Sequence, residues 1–178
     1  MGAYIGTFSI LASSKVKRGK VYAVEASKEA FKLLRSNISL NEISNIEAFH
    51  LALSDSIGIC RLYHDTKGNW GHSTVKNYHS QSEEVECSTL EAFLDQNGIT
   101  KCDLIKLNCE GAEYPILLTS SVDVLRRFNV ILVLYHNDLW TNNSESELIT
   151  HLESCGFAIT LRNQSEKRGW IIAVNKNF

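Results

Sequence analysis

The stretch from Asp103 to Glu113 constrains the fold more than any other part of the sequence. A short apolar run, Leu104–Leu107, is interrupted only by Lys106 and gives way abruptly to polar residues and a glycine. This pattern predicts a buried β-strand whose C-terminal end opens into a loop, and Pro115 shortly afterwards is typical of the first turn of a helix. In open α/β sheets, ligands bind at the carboxyl ends of the strands. The polar residues that follow this strand are therefore the first candidates for a functional site.

Strand-like and helix-like stretches alternate along the remainder of the chain. Lys20–Glu25 and Ile46–Leu53 are β-rich, and between them apolar residues recur at helical spacing after Ser27, a favourable N-cap. Such alternation predicts βαβ units and a mostly parallel sheet. Two final β-rich runs, Phe157–Leu161 and Trp170–Val174, predict an antiparallel hairpin. We therefore expect an α/β fold, a Rossmann-like open sandwich with a mostly parallel sheet and a C-terminal antiparallel hairpin, in a single domain over residues 1–178.

Two capping-box patterns predict where later helices begin. Ser88 stands three residues before Glu91, and Ser144 stands three residues before Glu147. In this pattern the serine side chain accepts a hydrogen bond from the first helical turn, while the glutamate bonds back to the serine backbone. Helices are therefore expected after Ser88 and after Ser144.

Charge, hydropathy and cysteine usage exclude several classes of protein. The 178 residues carry a formal net charge of −2, which gives no overall attraction to nucleic acid or to anionic membranes. The longest apolar run, Val130–Tyr135, is too short to span a membrane, and the first residues lack the pattern of a signal peptide. Five widely spaced cysteines without a Cys-x-x-Cys pair favour reduced thiols in a cytoplasmic protein and no metal site.

A glycine-bearing turn and an acid suggest a cofactor. Gly2 and Gly6 precede a predicted helix, and Glu25 ends the next predicted strand, about 20 residues later. Glycines beside a helix N-terminus allow close approach of a nucleotide-like cofactor, and such an acid can accept hydrogen bonds from ribose hydroxyls. A tight turn and a solvated surface glutamate would explain the same residues without a ligand. Together they favour an adenosine-type cofactor, but they do not distinguish nicotinamide from S-adenosylmethionine.

Further motifs follow in a characteristic order along the chain. The most specific is Ile-Lys-Leu-Asn-Cys-Glu-Gly-Ala-Glu at Ile105–Glu113. The others are Gly2–Ser9, Val21–Glu25, Asn37 with Asn41, Leu51–Asp55, Thr89-Leu90 and Cys155–Phe157. In this order they resemble the FkbM family of S-adenosylmethionine-dependent methyltransferases over nearly the whole chain. The resemblance implies S-adenosylmethionine as the cofactor and methyl transfer to a hydroxyl oxygen of a small sugar or polyketide-like acceptor. From the net charge, we expect neither nucleic acid nor a membrane as partner.

The resemblance also implies roles for individual residues. The implied cofactor-binding residues are Gly2, Ala3, Ile5, Gly6, Glu25, Ala52, Leu53 and Asn108. Among them, Glu25 would hold the ribose hydroxyls, Ala52 and Leu53 would flank the adenine, and the glycine turn would line the ribose and methionine side. Asn108 would face the reaction centre.

A hydroxyl acceptor needs a base within hydrogen-bond reach. The catalytic candidates are Glu110 and Glu113, which follow the organising strand, and His136, which directly follows the predicted strand Val130–Tyr135. Structural explanations stay open, because an acid in the first turn of a helix is stabilised there by the helix dipole and a buried histidine is often only hydrogen-bonded. His72 is the fourth candidate base; it lies in the polar segment between His64 and Ser82 that also carries Trp70, and it could instead belong to the acceptor pocket or a lid.

Two features depart from the family pattern and leave alternatives open. Met1 stands where the family normally has a strand that ends in an acid, and Asn108 replaces the usual aspartate of Lys-x-Asp-x-Glu-Gly. An amide keeps hydrogen bonding but cannot act as a base. The second hypothesis is therefore a Rossmann-like cofactor-binding or scaffold protein with weakened or no activity, whose exposed sheet edge pairs with a partner or another copy in a homo-oligomer. A nicotinamide-dependent oxidoreductase is the third, but Gly-x-Gly-x-x-Gly and Tyr-x-x-x-Lys are lacking.

Overall fold

Helices and strands alternate along the chain in the computed structural model, which describes residues 1–65, 71–78, 81–140 and 144–178. In chain order the elements are α1 (Thr7–Lys15), β1 (Val21–Glu25), α2 (Lys28–Leu40), β2 (Ile46–His50), β3 (Ala52–Leu53), β4 (Gly58–Tyr63), β5 (Ser82–Ser88), α3 (Leu90–Gln96), β6 (Cys102–Leu107), α4 (Glu113–Thr119), α5 (Val122–Leu125), β7 (Phe128–His136), α6 (Glu145–Ser154), β8 (Phe157–Arg162) and β9 (Arg168–Asn175).

The strands form three sheets. β1 pairs with β2 in parallel, and β5 lies between β3, its parallel neighbour, and β4, its antiparallel neighbour. The third sheet has the order β6-β7-β9-β8, in which β6 and β7 are parallel and β9 is antiparallel to both neighbours. The Rossmann-like α/β fold and its C-terminal antiparallel hairpin are confirmed. The parallel pairing of β6 with β7 brings the carboxyl ends of these two strands side by side.

The main hydrophobic core lies around β6 and β7. Leu107, Ile131 and Val133 are completely buried, together with Leu117 of α4 and Leu148 of α6. Parallel strands that are covered on both faces need apolar side chains on both, which explains why β7 is an almost continuous apolar run. This core holds the carboxyl ends of β6 and β7 in place.

Residues 1–3 lie between the carboxyl ends of β1 and β6. The Ala3 N–H donates to the Val24 carbonyl over 3.0 Å, and the Met1 ammonium donates to the Lys106 carbonyl over 2.7 Å. The Asn108 N–H donates in turn to the Met1 carbonyl over 3.3 Å. These bonds position the start of the chain against the loop that follows β6.

Two predicted boundaries are wrong. Residues 46–53 form two strands rather than one, because the Leu51 N–H donates to the Glu25 carbonyl and the chain then leaves β1 to pair with β5. The N-cap of α3 is Thr89, not Ser88: the Thr89 hydroxyl accepts from the Ala92 N–H over 3.1 Å, while Ser88 still belongs to β5.

The other two predicted helix starts are confirmed. The Ser27 side chain caps α2 by accepting from the Ala30 N–H, and Ser144 is the N-cap of α6, although its side chain makes no capping hydrogen bond.

Of the predicted loop, Trp70 lies outside the described residues, whereas Ser73 forms a β-bridge with Tyr63. None of the helices in the described ranges is long and apolar enough to cross a membrane.

Candidate functional site

A cavity of about 210 Å³ lies at the carboxyl ends of β1, β3 and β6. Its lining residues are Met1, Gly2, Tyr4, Val24, Glu25, Ala26, Ala30, Leu51, Ala52, Leu53, Leu62, His72, Thr74, Asn108, Cys109, Glu110 and Ala112. The lining combines apolar residues of β1, β3 and β4 with polar residues, which include Glu25 at the end of β1 and Asn108 and Glu110 after β6. Such a combination is typical of sites that bind a small organic molecule.

Gly2 lies in close contact with the loop after β6. Its φ is +65°, and a Cβ atom at this position would stand 1.9 Å from the Asn108 carbonyl oxygen. No residue with a side chain fits here unless the backbone moves, because the obstructing atom belongs to the main chain. Glycine at this position therefore lets the start of the chain and the end of β6 form one continuous wall of the cavity.

The Glu25 carboxylate is buried at the end of β1. One of its oxygens accepts from the Tyr4 N–H over 2.7 Å and the other from the Ser27 N–H over 2.9 Å. Burial raises the pKa of this carboxyl above its ordinary value, although the backbone N–H groups act in the opposite direction. Because each carboxylate oxygen has two lone pairs, both oxygens can still accept a hydrogen bond from a ligand.

Asn108 also has unused hydrogen-bonding capacity. The residue lines the cavity, and its buried Oδ1 has no hydrogen-bond partner among the described residues. An acceptor buried without a partner is unfavourable by about 1–3 kcal/mol. A ligand that presents an N–H or O–H donor to this oxygen would remove that cost.

The loop between β6 and α4 has a strained conformation that the Glu113 carboxylate supports. Glu110 has φ +49°, which is uncommon for a residue with a side chain, and Gly111 follows with φ +103°. The completely buried Glu113 carboxylate accepts from the N–H groups of Cys109 and Gly111. Strained residues of this kind persist when their surroundings hold them, and they cluster at functional sites.

His136 lies between two glutamates at the end of β7. Its Nδ1 donates to Glu113 over 3.1 Å, and its Nε2 is 3.5 Å from a Glu110 oxygen, an ionic contact without hydrogen-bond alignment. Burial lowers the pKa of His136, but the two carboxylates raise it more, so that the pKa is about 9. The ring is therefore a cation at neutral pH and links the two acids.

Charged groups surround Glu110 on its outer side. Arg168 binds the Asp138 carboxylate through two N–H groups, at 3.0 and 3.1 Å, and lies 3.7 Å from Glu110. On the other side, the Ser73 hydroxyl donates to the Glu110 carbonyl over 2.7 Å. The Glu110 carboxylate, which belongs to a residue that lines the cavity, is thus held between the two cations His136 and Arg168.

His72 contributes a polar edge to the cavity. Burial lowers its pKa, and its Nδ1 accepts from the Asp65 N–H over 3.2 Å. A neutral ring that accepts at Nδ1 carries its proton on Nε2. His72 can therefore donate one hydrogen bond to a ligand.

Seven of the sequence-predicted site residues line the cavity together: Gly2, Glu25, Ala52, Leu53, His72, Asn108 and Glu110. Ala3 lines an adjoining groove instead, and Ile5 and Gly6 line neither the cavity nor this groove. A Cβ atom on Gly6 would lie 2.7 Å from a side-chain carbon of Leu34, so this glycine allows the turn to pack closely. Glu113 and His136 lie directly behind Glu110 rather than in the lining. Their catalytic assignment stays a prediction.

Sequence analysis missed several residues of the site. Leu62 and Thr74 line the cavity, and Arg168 contacts Glu110, although none of the three belongs to a quoted motif. Leu62 lies on β4, which pairs with β5, and Arg168 lies on β9, which pairs with β7. The local sequence of a strand does not specify which strand becomes its neighbour. Arg168 lies beside the end of β7 because it pairs with His136 in the antiparallel register of β7 with β9, two strands that are not consecutive in the chain.

Comparison with known proteins gives matches in both sequence and structure. The family model described as "Methyltransferase FkbM domain" matches residues 1–159. The methyltransferase sdnD of Sordaria araneosa is 25% identical over 147 residues, which are 65% of this chain and 57% of that protein. The chain thus spans little more than half the length of this curated relative.

Three solved structures illustrate the structural likeness. TrmK of M. capricolum, in complex with S-adenosyl-homocysteine, superposes with a TM-score of 0.58 at 13% identity, covering 99% of this chain and 60% of that one. Fibrillarin of Aeropyrum pernix, with natively bound S-adenosyl-L-methionine, gives 0.56 at 16% identity, covering 98% and 64%. Precorrin-6y C5,15-methyltransferase of Geobacter metallireducens gives 0.55 at 15% identity, covering 99% and 77%. At these identities the likeness establishes the fold.

Proposed function

Because the chain belongs to the methyltransferase FkbM domain family, we propose that it binds S-adenosylmethionine in the cavity and methylates a hydroxyl oxygen of a small sugar or polyketide-like molecule. The observation that carries the proposal is the convergence of Gly2, Glu25 and Asn108 on one cavity at the carboxyl ends of the strands. The relationship to a methyltransferase from Sordaria araneosa supports the reaction class.

The residues present fit this cofactor. Glu25 can accept from the two ribose hydroxyls, the apolar Ala52 and Leu53 can flank the adenine, and the unpaired Asn108 oxygen can accept from the amino group of the methionine part. Cavities that enclose most of a drug-sized ligand have volumes of about 300–1,000 Å³. The 210 Å³ available here would enclose only part of the cofactor, so the remainder would extend to the adjoining surface.

When bound, S-adenosylmethionine supplies an electrophilic methyl group on a sulfonium. The protein aligns the acceptor, excludes water and removes a proton. Of the four candidate bases, Glu110 and His72 line the cavity. We assign Glu110 as the base, because the His72 Nδ1 already accepts from the Asp65 N–H and the other ring nitrogen carries the proton. Its carboxylate takes the proton of the acceptor hydroxyl as the oxygen becomes an ether.

His136 and Glu113 support this base. Since the pKa of His136 is about 9, the ring carries its proton at neutral pH and is poorly suited to accept another. It instead holds the Glu110 carboxylate in place, while Glu113 orients the ring through Nδ1. We assign both as positioning residues.

Titration calorimetry and a transfer assay test the proposal. We expect S-adenosylmethionine to bind and NAD not to bind, and we expect a labelled methyl group to appear on small polyhydroxylated acceptors. Binding of NAD alone would favour an oxidoreductase and contradict the proposal.

A cofactor-binding or scaffold protein without activity is the second candidate, and Asn108 favours it, because the amide that this residue brings to the cavity cannot act as a base. Binding of S-adenosylmethionine without transfer to any acceptor would support this candidate. Binding of neither ligand would leave the scaffold alone.

A further inference from the structure

The completely buried Ser73 joins the segment between β4 and β5 to the loop after β6. Its backbone is fixed by a β-bridge, in which the Tyr63 N–H donates to the Ser73 carbonyl over 2.9 Å and the Ser73 N–H donates to the Tyr63 carbonyl over 3.0 Å. Successive side chains of an extended segment point to opposite sides. Accordingly, His72 and Thr74 line the cavity, whereas the Ser73 side chain reaches the main chain of Glu110.

The Ser73 hydroxyl can donate its proton in one direction only. Its oxygen accepts from the N–H groups of Val75 and Lys76, over 3.2 and 3.1 Å. Because a hydroxyl has two acceptor lone pairs and one proton, these two bonds use both lone pairs. The proton therefore goes to the Glu110 carbonyl, which lies 2.7 Å away.

This hydrogen bond holds one end of the peptide unit between Glu110 and Gly111. The carbonyl of the unit accepts from Ser73, and its N–H donates to the buried Glu113 carboxylate over 2.8 Å. Glu110 has φ +49° and Gly111 has φ +103°, so the loop depends on its surroundings to keep this conformation. Rotation of the peptide unit would break both hydrogen bonds and redirect the Glu110 side chain.

Close packing supports the same link. A Cβ atom on Gly111 would stand 2.6 Å from Cγ2 of Val75, so the segment around Ser73 lies directly against the loop. The Lys76 ammonium donates to the Asp138 carbonyl over 3.2 Å, shortly after the end of β7. The segment is thus attached to the loops after both β6 and β7.

We propose that Ser73 is a positioning residue for the base Glu110. Its hydroxyl keeps the peptide unit between Glu110 and Gly111 in the orientation that places the Glu110 carboxylate at the cavity and beside His136. Ser73 is not among the residues that line the cavity, so it acts through Glu110. The catalytic part of this inference rests on the proposed methyl transfer, whereas the effect on the position of Glu110 does not.

The pKa of His136 reports the position of Glu110 without an activity assay. The Glu110 and Glu113 carboxylates both raise this pKa, which is about 9. Ser73→Ala removes the hydrogen bond to the Glu110 carbonyl, so we expect the Glu110 carboxylate to move away from the ring. The pKa of His136 should then fall to about 8 or below in an NMR titration.

Ser13→Ala is the matched control, because Ser13 is also buried and its hydroxyl donates to the Ile10 carbonyl over 2.8 Å, within α1. We expect this variant to leave the pKa of His136 unchanged. Ser73→Cys is a milder variant that keeps a side chain of similar size with a weak donor, and it should lower the pKa in the same direction. An unchanged pKa in Ser73→Ala, or in Ser73→Cys where the alanine variant does not fold, would overturn the proposal. An equal fall in Ser13→Ala would overturn it too.

A transfer assay tests the catalytic part. Ser73→Ala should lower kcat about 10–100-fold, because a misplacement of about 1 Å can reduce a rate by about 10²-fold. Calorimetry should show that S-adenosylmethionine affinity is kept, since Glu25, Ala52 and Leu53 lie on β1 and β3. A lower pKa of His136 with unchanged kcat would contradict the positioning role. Absence of transfer in the native chain as well would contradict the proposed function, while the His136 titration would still decide whether Ser73 positions Glu110.

Discussion

Replacing His136 by glutamine should remove a pH-dependent part of the stability whose size follows from the structure. The ring is completely buried between two acids. Burial lowers its pKa, but the two carboxylates raise it more, from the ordinary 6.5 to about 9. Each pKa unit corresponds to about 1.4 kcal/mol, so protonation of this ring favours the folded state by an amount on the order of 3 kcal/mol.

The sign follows from the two pKa values. Below pH 6.5 the ring is protonated in both the folded and the unfolded chain, and the contribution is fully present. Between pH 6.5 and about 9 the unfolded chain releases the proton while the folded chain retains it, so the free energy of unfolding falls. Above this window the contribution is lost.

Urea unfolding between pH 6 and 9.5, roughly this window, measures the effect. Other groups titrate here too: burial lowers the pKa of the Met1 ammonium, which makes stability rise with pH. The difference between the native chain and His136→Gln therefore isolates the ring, and His151→Gln on α6 is the matched control. We expect the native chain and His151→Gln to lose about 3 kcal/mol more than His136→Gln. Parallel pH curves for all three would refute the reasoning.

Three further substitutions test the site. Gly2→Ala should lower the stability in a melting curve by at least about 1–2 kcal/mol, because alanine is strained at φ +65° and its Cβ would meet the Asn108 carbonyl. Gly19→Ala is the control, since Gly19 has φ +103° but open space around it. An equal loss of stability in both variants would argue against the close contact at Gly2. Glu25→Ala should weaken S-adenosylmethionine binding in calorimetry by about 1–3 kcal/mol, and unchanged affinity would remove Glu25 from the site. Glu110→Gln should reduce methyl transfer about 10²–10⁴-fold while cofactor affinity is kept, and an undiminished rate would place the base elsewhere.

The sequence was sufficient to predict the parts of the fold that depend on local patterns. β6 was predictable because an apolar run ends abruptly in Asn108 and a glycine turn, and the hairpin β8–β9 because two β-rich runs flank a short polar segment. The position of Glu25 at a strand end followed in the same way. Patterns of this kind are encoded by residues that are neighbours in the chain.

The contacts that complete the site depend on which strands become neighbours. His136 meets Glu113 because β7 lies parallel to β6, and Arg168 meets Glu110 because β9 pairs with β7 in one particular register. Neither register is determined by local sequence. The choice of Thr89 over Ser88 as N-cap shows the same limit at short range, since pairing of β5 retains Ser88 in the strand.

The central claim is that polar strand ends converge on a pocket for S-adenosylmethionine. Amide hydrogen exchange in the presence of this cofactor tests the claim most directly. We predict slower exchange of the Gly2 and Tyr4 amides and of the amides after β6, from Asn108 to Gly111, with no change in β8 and β9. Protection confined to other faces of the molecule, or no protection at a saturating concentration, would contradict the account.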